Sequence, residues 1–269
     1  MEKSKTQVVY IPHGGGPMPI LGSGGHEHLT PFLKDLGTKL QKPSRILVIS
    51  AHWEEETFTV TSGKNPELIY DYYGFPKEAY ELKYPAPGDP IFAGKVSETL
   101  KQNNIDCRLD TKRGFDHGTY IPLLLMYSAA DIPVIQISLK KGLNPTAHLA
   151  LGKALAKELE PGTLVVGSGM SFHNMRSFGP NASTTKEGIE FNSWLSKICT
   201  DSSIPPSTVE KGLVEWNKAP QAKFCHPREE HLIPLHVCYG IAMEKSPHGE
   251  LIFDKTVLGQ KCLGLLWSS

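Results

Sequence analysis

Arg45-Ile46-Leu47-Val48-Ile49-Ser50-Ala51 is an unbroken aliphatic run that ends on His52-Trp53. Strands buried on both faces of a parallel sheet read this way, without the polar alternation of a half-solvated strand. Two other stretches have the same form. Val8-Val9-Tyr10-Ile11-Pro12 leads into His13 and Gly14-Gly15-Gly16, and Thr163-Leu164-Val165-Val166-Gly167-Ser168-Gly169 leads towards Ser171-Phe172-His173-Asn174. Ligands of open α/β sheets bind beyond the carboxyl ends of the strands. Three imidazoles delivered to one sheet edge therefore point to a metal site or an acid/base site.

Outward from these runs, strand and helix patterns alternate. Ile132–Ser138 is a further core strand, and helices are expected over His28–Lys42, Pro90–Gln102, Pro145–Glu160, Ala182–Cys199 and Val209–Trp216. Proline favours the first helical position, so Pro227 is expected to open a last helix running to Met243, kinked where Pro234 falls inside it. Thr57–Thr61 alternates like a half-buried strand, and Glu54–Glu56 reads as a solvated turn. A short strand near Arg108 precedes the loop Arg113-Gly114-Phe115-Asp116-His117-Gly118 and an apolar helix Ile121–Tyr127. Tyr70–Pro90, rich in Tyr, Pro and Gly, reads as a long ordered loop or lid. Leu251–Phe253 and Cys262–Leu266 are late strands. The alternation predicts one three-layer α/β/α domain over residues 1–269, with a central, mostly parallel, mixed sheet.

Composition narrows the function. Basic and acidic residues balance at 28 each, so no broad field attracts nucleic acid or an anionic membrane. No run approaches the roughly 20 apolar residues that span a bilayer, and Met1–Gln7 is polar, unlike a signal peptide. The 5 cysteines include no CxxC pair, which suits reduced thiols in the cytoplasm. The expected form is a monomer or small homo-oligomer.

Several clusters carry candidate chemistry. His13 and His52 are candidate ligands at the sheet edge; for His13 the plainer reading is a hydrogen-bonded loop histidine. His117, flanked by Gly114 and Gly118, is a candidate for proton transfer; Asp116 beside it reaches its ring only if the backbone folds back. Gly167-Ser168-Gly169 lacks the G-x-S-x-G spacing of a nucleophile elbow, which argues against serine catalysis. The densest cluster is Phe224-Cys225-His226-Pro227-Arg228-Glu229-Glu230-His231. On a regular helix Glu230 and His231 diverge by about 100°, so one is a ligand candidate and the other a supporting or surface group. His236 reads as a packed or surface histidine. No H-E-x-x-H is present, so a zincin protease is not indicated.

In order along the chain, His13-Gly-Gly-Gly-Pro-Met, Ser50-Ala-His-Trp, Tyr73-Gly-Phe-Pro, Tyr84-Pro-Ala-Pro-Gly, Gly114-Phe-Asp-His-Gly, Ser171-Phe-His-Asn and Glu230-His-Leu-Ile-Pro-Leu resemble the class III extradiol ring-cleavage dioxygenases, in the DOPA 4,5-dioxygenase-like branch. The resemblance implies one α/β domain with one divalent metal ion, Fe(II) for activity and Zn(II) as an alternative bound form. By position it implies His13, His52 and His231 as metal ligands, His173 as an acid/base that closes the shell around zinc, and His117 as a second histidine near the substrate. One departure is Gly14-Gly15-Gly16, where relatives carry Gly-Ser-Pro.

The implied substrates are a small aromatic diol and O2. A bound divalent ion acidifies catechol hydroxyls, and His173 and His117 exchange protons with them. Trp53, Tyr73, Phe75 and Tyr84 are candidates to line an aromatic pocket, with core packing as the plainer reading. Two other functions fit the same residues: a zinc-dependent hydrolase or amidase, and a non-catalytic binding protein.

Overall fold

The computed structural model describes residues 6–22, 24–179 and 182–268, so residues 1–5 of the polar Met1–Gln7 stretch lie outside it. Among the described residues one sheet is built from β1 (Gln7–Pro12), β2 (Arg45–Glu55), β3 (Phe58–Thr61), β4 (Cys107–Asp110), β5 (Val134–Lys140), β6 (Thr163–Gly169), β7 (Glu250–Val257) and β8 (Gln260–Ser268), in the order β4-β3-β5-β2-β6-β1-β8-β7. The central four, β5-β2-β6-β1, are mutually parallel, while β8 pairs antiparallel with β1 and β3 touches β5 antiparallel. These four are the aliphatic runs of the sequence. Their carboxyl ends share one edge, which is where the histidines emerge.

The helices are α1 (Met18–Leu21), α2 (Leu29–Lys39), α3 (Pro90–Gln102), α4 (His117–Met126), α5 (Pro145–Leu155), α6 (Lys186–Thr200), α7 (Pro206–Val214), α8 (Ala222–Cys225) and α9 (Ile233–Ala242). On one face α9 lies across β1, β2 and β6 and packs on α5, which meets α3 and α7; on the other, α1, α2 and α4 pack together, with α4 on β2 and β6. The domain is therefore a three-layer α/β/α sandwich around a mixed sheet. The α5–α9 crossing is close because both helices present glycine. A Cβ on Gly152 would stand 2.3 Å from the Val237 carbonyl oxygen.

Four local expectations change. β2 continues past His52, with Glu54 paired to Leu139 and Glu55 to Lys140, so Glu54 and Glu55 belong to a strand and not to a turn. β3 is buried throughout, because its threonines find strand partners: Thr61 Oγ1 accepts the Gln136 N–H at 2.8 Å. α4 begins at His117, because the Asp116 side chain caps it by accepting the Thr119 N–H at 3.1 Å. The late helix splits. A residue before proline is driven out of the α region, and His226, ahead of Pro227, sits at φ −129°, ψ 82° and ends α8. Pro227 thus opens no helix, and Pro234 lies in the first turn of α9, where it causes no kink.

Three histidines away from the sheet edge are core pins. His148 Nε2 accepts the Lys140 N–H at 3.1 Å and its Nδ1 donates to the Asn144 carbonyl at 2.7 Å, which requires a neutral ring. Burial lowers His148 from 6.5 to about 4 and His226 to about 3. His236 is packed, fully buried between the Leu232 and Leu213 carbonyls.

Two outcomes follow. Gly152→Ala should lower stability by about 1–3 kcal/mol or more through the backbone clash. Gly94→Ala, in an α3 position with open space around it, should raise stability by roughly 0.5–1 kcal/mol; urea midpoints measure both. Second, below pH 6.5 unfolded imidazoles take up protons that folded His148 and His226 refuse. The unfolded chain then binds more protons, so stability falls as pH falls. Urea midpoints in chelator should decline continuously from pH 6.5 towards pH 4, starting above the carboxylate range; a flat profile down to pH 5 would contradict the assignment.

Candidate metal centre

His13 follows the last residue of β1, in the turn where Gly15 N–H donates to His26 Nε2 at 3.0 Å. His52 lies where β2 loses its register with β5: Ile49 pairs with Ile137, but the next pair is Glu54 with Leu139. The extra residues bow out of the ladder, as in a β-bulge, which re-aims a side chain at a sheet rim. Gly118, in the first turn of α4, makes room for this. A Cβ there would lie 2.6 Å from Ser50 Oγ and 2.9 Å from His52 Cδ2.

His231 comes from the turn before α9, not from a helix. Its carbonyl accepts the Tyr10 hydroxyl at 2.9 Å and the Met170 N–H at 3.0 Å, which fastens the turn to β1 and the end of β6. His173 N–H donates to the Cys225 carbonyl at 2.9 Å and Asn174 Nδ2 to Phe224 O at 2.8 Å, joining the segment after β6 to α8. The helical argument that separated Glu230 from His231 by rotation does not apply in this turn. Glu230 Oε1 lies 3.0 Å from both His231 Nδ1 and His173 Nδ1.

Five imidazoles are thereby gathered: His13, His52, His117, His173 and His231, with ring centroids 4.9 Å apart for His13–His52, 3.9 Å for His52–His117 and 3.4 Å for the stacked His173–His231 pair. Three groups of donors lie within 4.8 Å of one another: His13–His52–His231, His52–Asp71–His117 and His173–Glu230–His231. His173 thus groups with Glu230 and His231, and His117 with His52 and Asp71.

Burial, with the neighbouring imidazoles adding to it, holds His13 and His231 well below the usual histidine range. Burial and His117 bring His52 down to about 4. Neutral rings keep lone pairs for a cation. Burial opposes ionisation of Asp71 and Glu230, but contacts with His117 for the first and with His173 and Arg228 for the second outweigh it, so both carboxyls lie below their usual values.

The donor set fits a divalent ion. His13 Nε2 and His52 Nε2 are 3.0 Å apart. Two imidazole donors on one ion, each about 2.0–2.1 Å from it, stand about 2.9–3.4 Å apart.

Sequence reasoning missed several supporting residues. Asp71, in the expected lid, has Oδ1 at 2.9 Å from His117 Nδ1 and accepts the His117 backbone N–H at 3.0 Å. Asp116 does not orient the neighbouring His117 ring. It is buried, accepting Ser50 Oγ–H at 2.7 Å, Gln136 Nε2–H and Arg113 Nη2–H. A lone acid among the aromatics Tyr70–Tyr73 was the available signal for Asp71; Gln136, in an otherwise apolar strand, was the signal for a buried acid.

The lid is closed on itself: Tyr72 OH donates to Ala79 O at 2.6 Å and receives Tyr120 OH at 2.7 Å. Of the aromatic candidates, Tyr84 and Trp53 are core, Trp53 lying under the Arg113 guanidinium at 4.5 Å, whereas Tyr73 is 92% exposed. Phe75 is half-buried on the lid beside Tyr72.

Comparison with known proteins agrees with this architecture. Residues 8–260 match the family described as the catalytic LigB subunit of aromatic ring-opening dioxygenase. Dioxygenase tasH of Hapsidospora irregularis is 38% identical over 257 residues, covering 88% of this chain and 78% of that protein. The 4,5-DOPA dioxygenase extradiol of Beta vulgaris is 37% identical over 257 residues, covering 94% and 92%. The crystal structure of an uncharacterized Escherichia coli K12 protein superposes with a TM-score of 0.78 at 27% identity, covering 98% of this chain and 100% of that one. The chain belongs to the LigB-type aromatic ring-opening dioxygenases, as an extradiol ring-cleaving enzyme closely related to the DOPA-dioxygenase-like branch.

Proposed function

We propose that the chain, acting as one catalytic domain, opens the ring of a small catechol such as DOPA with O2 at a single divalent ion held by His13, His52 and His231. The observation that carries this reading is the 3.0 Å approach of His13 Nε2 and His52 Nε2, with a His231 donor within 4.8 Å. Glu230 is a support in this reading and not a ligand, because its Oε1 faces the Nδ1 atoms of His231 and His173. A bound Fe(II) supplies the Lewis acidity that lowers catechol pKa values and the redox couple that O2 chemistry needs, which zinc lacks.

The chain's own residues handle the protons. A carboxylate on Nδ1 holds an imidazole in one orientation and leaves Nε2 as the basic nitrogen. In this reading Glu230, with Oε1 3.0 Å from His173 Nδ1, does this for His173, and Asp71, with Oδ1 2.9 Å from His117 Nδ1, is the carboxylate placed to do so for His117. His173, stacked on His231, takes a proton from a substrate hydroxyl, and His117 is the second proton-handling group. Both atoms of O2 enter the product as the bond beside the diol opens. The 5 cysteines are buried free thiols, which supports work in the cytoplasm; the reading takes the chain as a monomer or small homo-oligomer. Among the described residues no helix is long and apolar enough to cross a membrane.

Anaerobic loading with Fe(II), then air and a catechol panel including DOPA, should give oxygen uptake and a coloured ring-opened product, while zinc-loaded protein takes up none. His173→Ala should keep the ion and lower kcat about 100-fold or more, and His13→Ala should lose the ion. No uptake with any catechol would overturn the dioxygenase reading. Ester or amide turnover by the zinc form without O2 would favour a hydrolase.

A further inference from the structure

Ser168 lies in β6, fully buried, opposite Ile11 of β1 and Ser50 of β2. Its hydroxyl makes two contacts: one with the Gly118 carbonyl, the other with His13 Nδ1 at 2.9 Å. The chemistry of these partners fixes the proton. A carbonyl only accepts, so the Ser168 O–H must point at Gly118. That carbonyl is available because the residue four places on is Pro122, inside α4, which has no N–H to close the helical bond. With its proton committed, Ser168 Oγ can only accept from His13, and the ring must carry its proton on Nδ1. The opposite arrangement would leave the serine oxygen facing the Gly118 carbonyl with no proton between them.

We propose that Ser168 is a positioning residue that locks His13 in the Nδ1–H tautomer, so that the Nε2 lone pair is aimed at the metal centre before any ion arrives. The inference rests on His13 being a ligand. It adds a device that the ligand set does not contain: Pro122 frees a carbonyl, the carbonyl orders a hydroxyl, and the hydroxyl chooses the nitrogen. A second consequence concerns His52. The 3.0 Å His13 Nε2–His52 Nε2 pair needs one proton in metal-free protein. His13 Nε2 has none, so it lies on His52 Nε2, and His52 is the ring that changes tautomer when an ion binds. Partners of this kind, behind a ligand, change metal affinity about 10–100-fold when removed.

The test is a long-range 15N–1H correlation on histidine-labelled, chelator-treated protein, with His13 and His52 assigned by their loss in His13→Asn and His52→Asn. The expected result is a protonated Nδ1 and a bare Nε2 on His13, and the reverse on His52; addition of Zn(II) should switch His52 and leave His13 unchanged. In Ser168→Ala, His13 should sample both tautomers and Zn(II) affinity should fall about 10–100-fold, with Ser168→Thr restoring both. A protonated Nε2 on His13 in the wild-type chain overturns the proposal, the asparagine variants serving only to assign the resonances. So does Ser168→Ala with an unchanged His13 tautomer. Because the tautomer is read without metal, a wild type that shows Nδ1–H on His13 but binds no Zn(II) upholds the hydroxyl relay and overturns the metal-centre reading.

Discussion

Packing five imidazoles within contact distance inside a protein imposes a constraint that the rest of the site obeys. Burial and the neighbouring imidazoles disfavour a second proton on His13, His52 and His231, because it would place like charges side by side in a poorly solvated space. A ring kept neutral in this way needs a partner for its one N–H, and its other nitrogen is left as a lone pair. Ser168 faces Nδ1 of His13, Glu230 faces Nδ1 of His231 and His173, and Asp71 faces Nδ1 of His117. A protein that orders partners on one side of four rings has prepared the other side for something that accepts lone pairs. A cation meets that description, and so does the proton of a substrate hydroxyl.

The scaffold serves this arrangement through backbone irregularities at the sheet edge. The bulge in β2 turns His52 out of the ladder, and Gly118 gives it space. The Asp116 cap starts α4 at His117 and, through Ser50 and Gln136, ties that start to β2 and β5. Arg113 lies between Asp116 and the face of Trp53. The turn carrying His231 is held by Tyr10 from inside β1 and by the salt bridge of Arg228 with Glu54 at 2.6 Å. Substituting any of these groups should shift the histidines without touching their rings.

The sheet was legible because strands buried on both faces need continuous aliphatic residues, and β1, β2, β5 and β6 have them. His13, His52 and His173 were legible as consequences of where those strands end. The partners were not, because they are distant in sequence: Ser168 and His13 are 155 residues apart, and Asp71 and His117 are 46 apart. Gly167-Ser168-Gly169 speaks against a serine nucleophile but does not reveal a partner, although a serine between two glycines in a core strand is compatible with a buried hydrogen-bonding role. Around Pro227 two proline rules competed. The preference of proline for a helix's first turn yields there to the restriction on the preceding His226, and it is met seven residues later, at Pro234.

The central claim is that one ion is held by histidines from β1, β2 and the turn before α9, with the carboxylates behind the rings and not on the ion. Crystals of the metal-loaded protein, measured at the absorption edge of the bound metal, test this directly. The expected result is one anomalous peak per chain within about 2.0–2.1 Å of His13, His52 and His231 nitrogens. A peak centred among His52, Asp71 and His117, or one bonded to the Glu230 carboxylate, would contradict it.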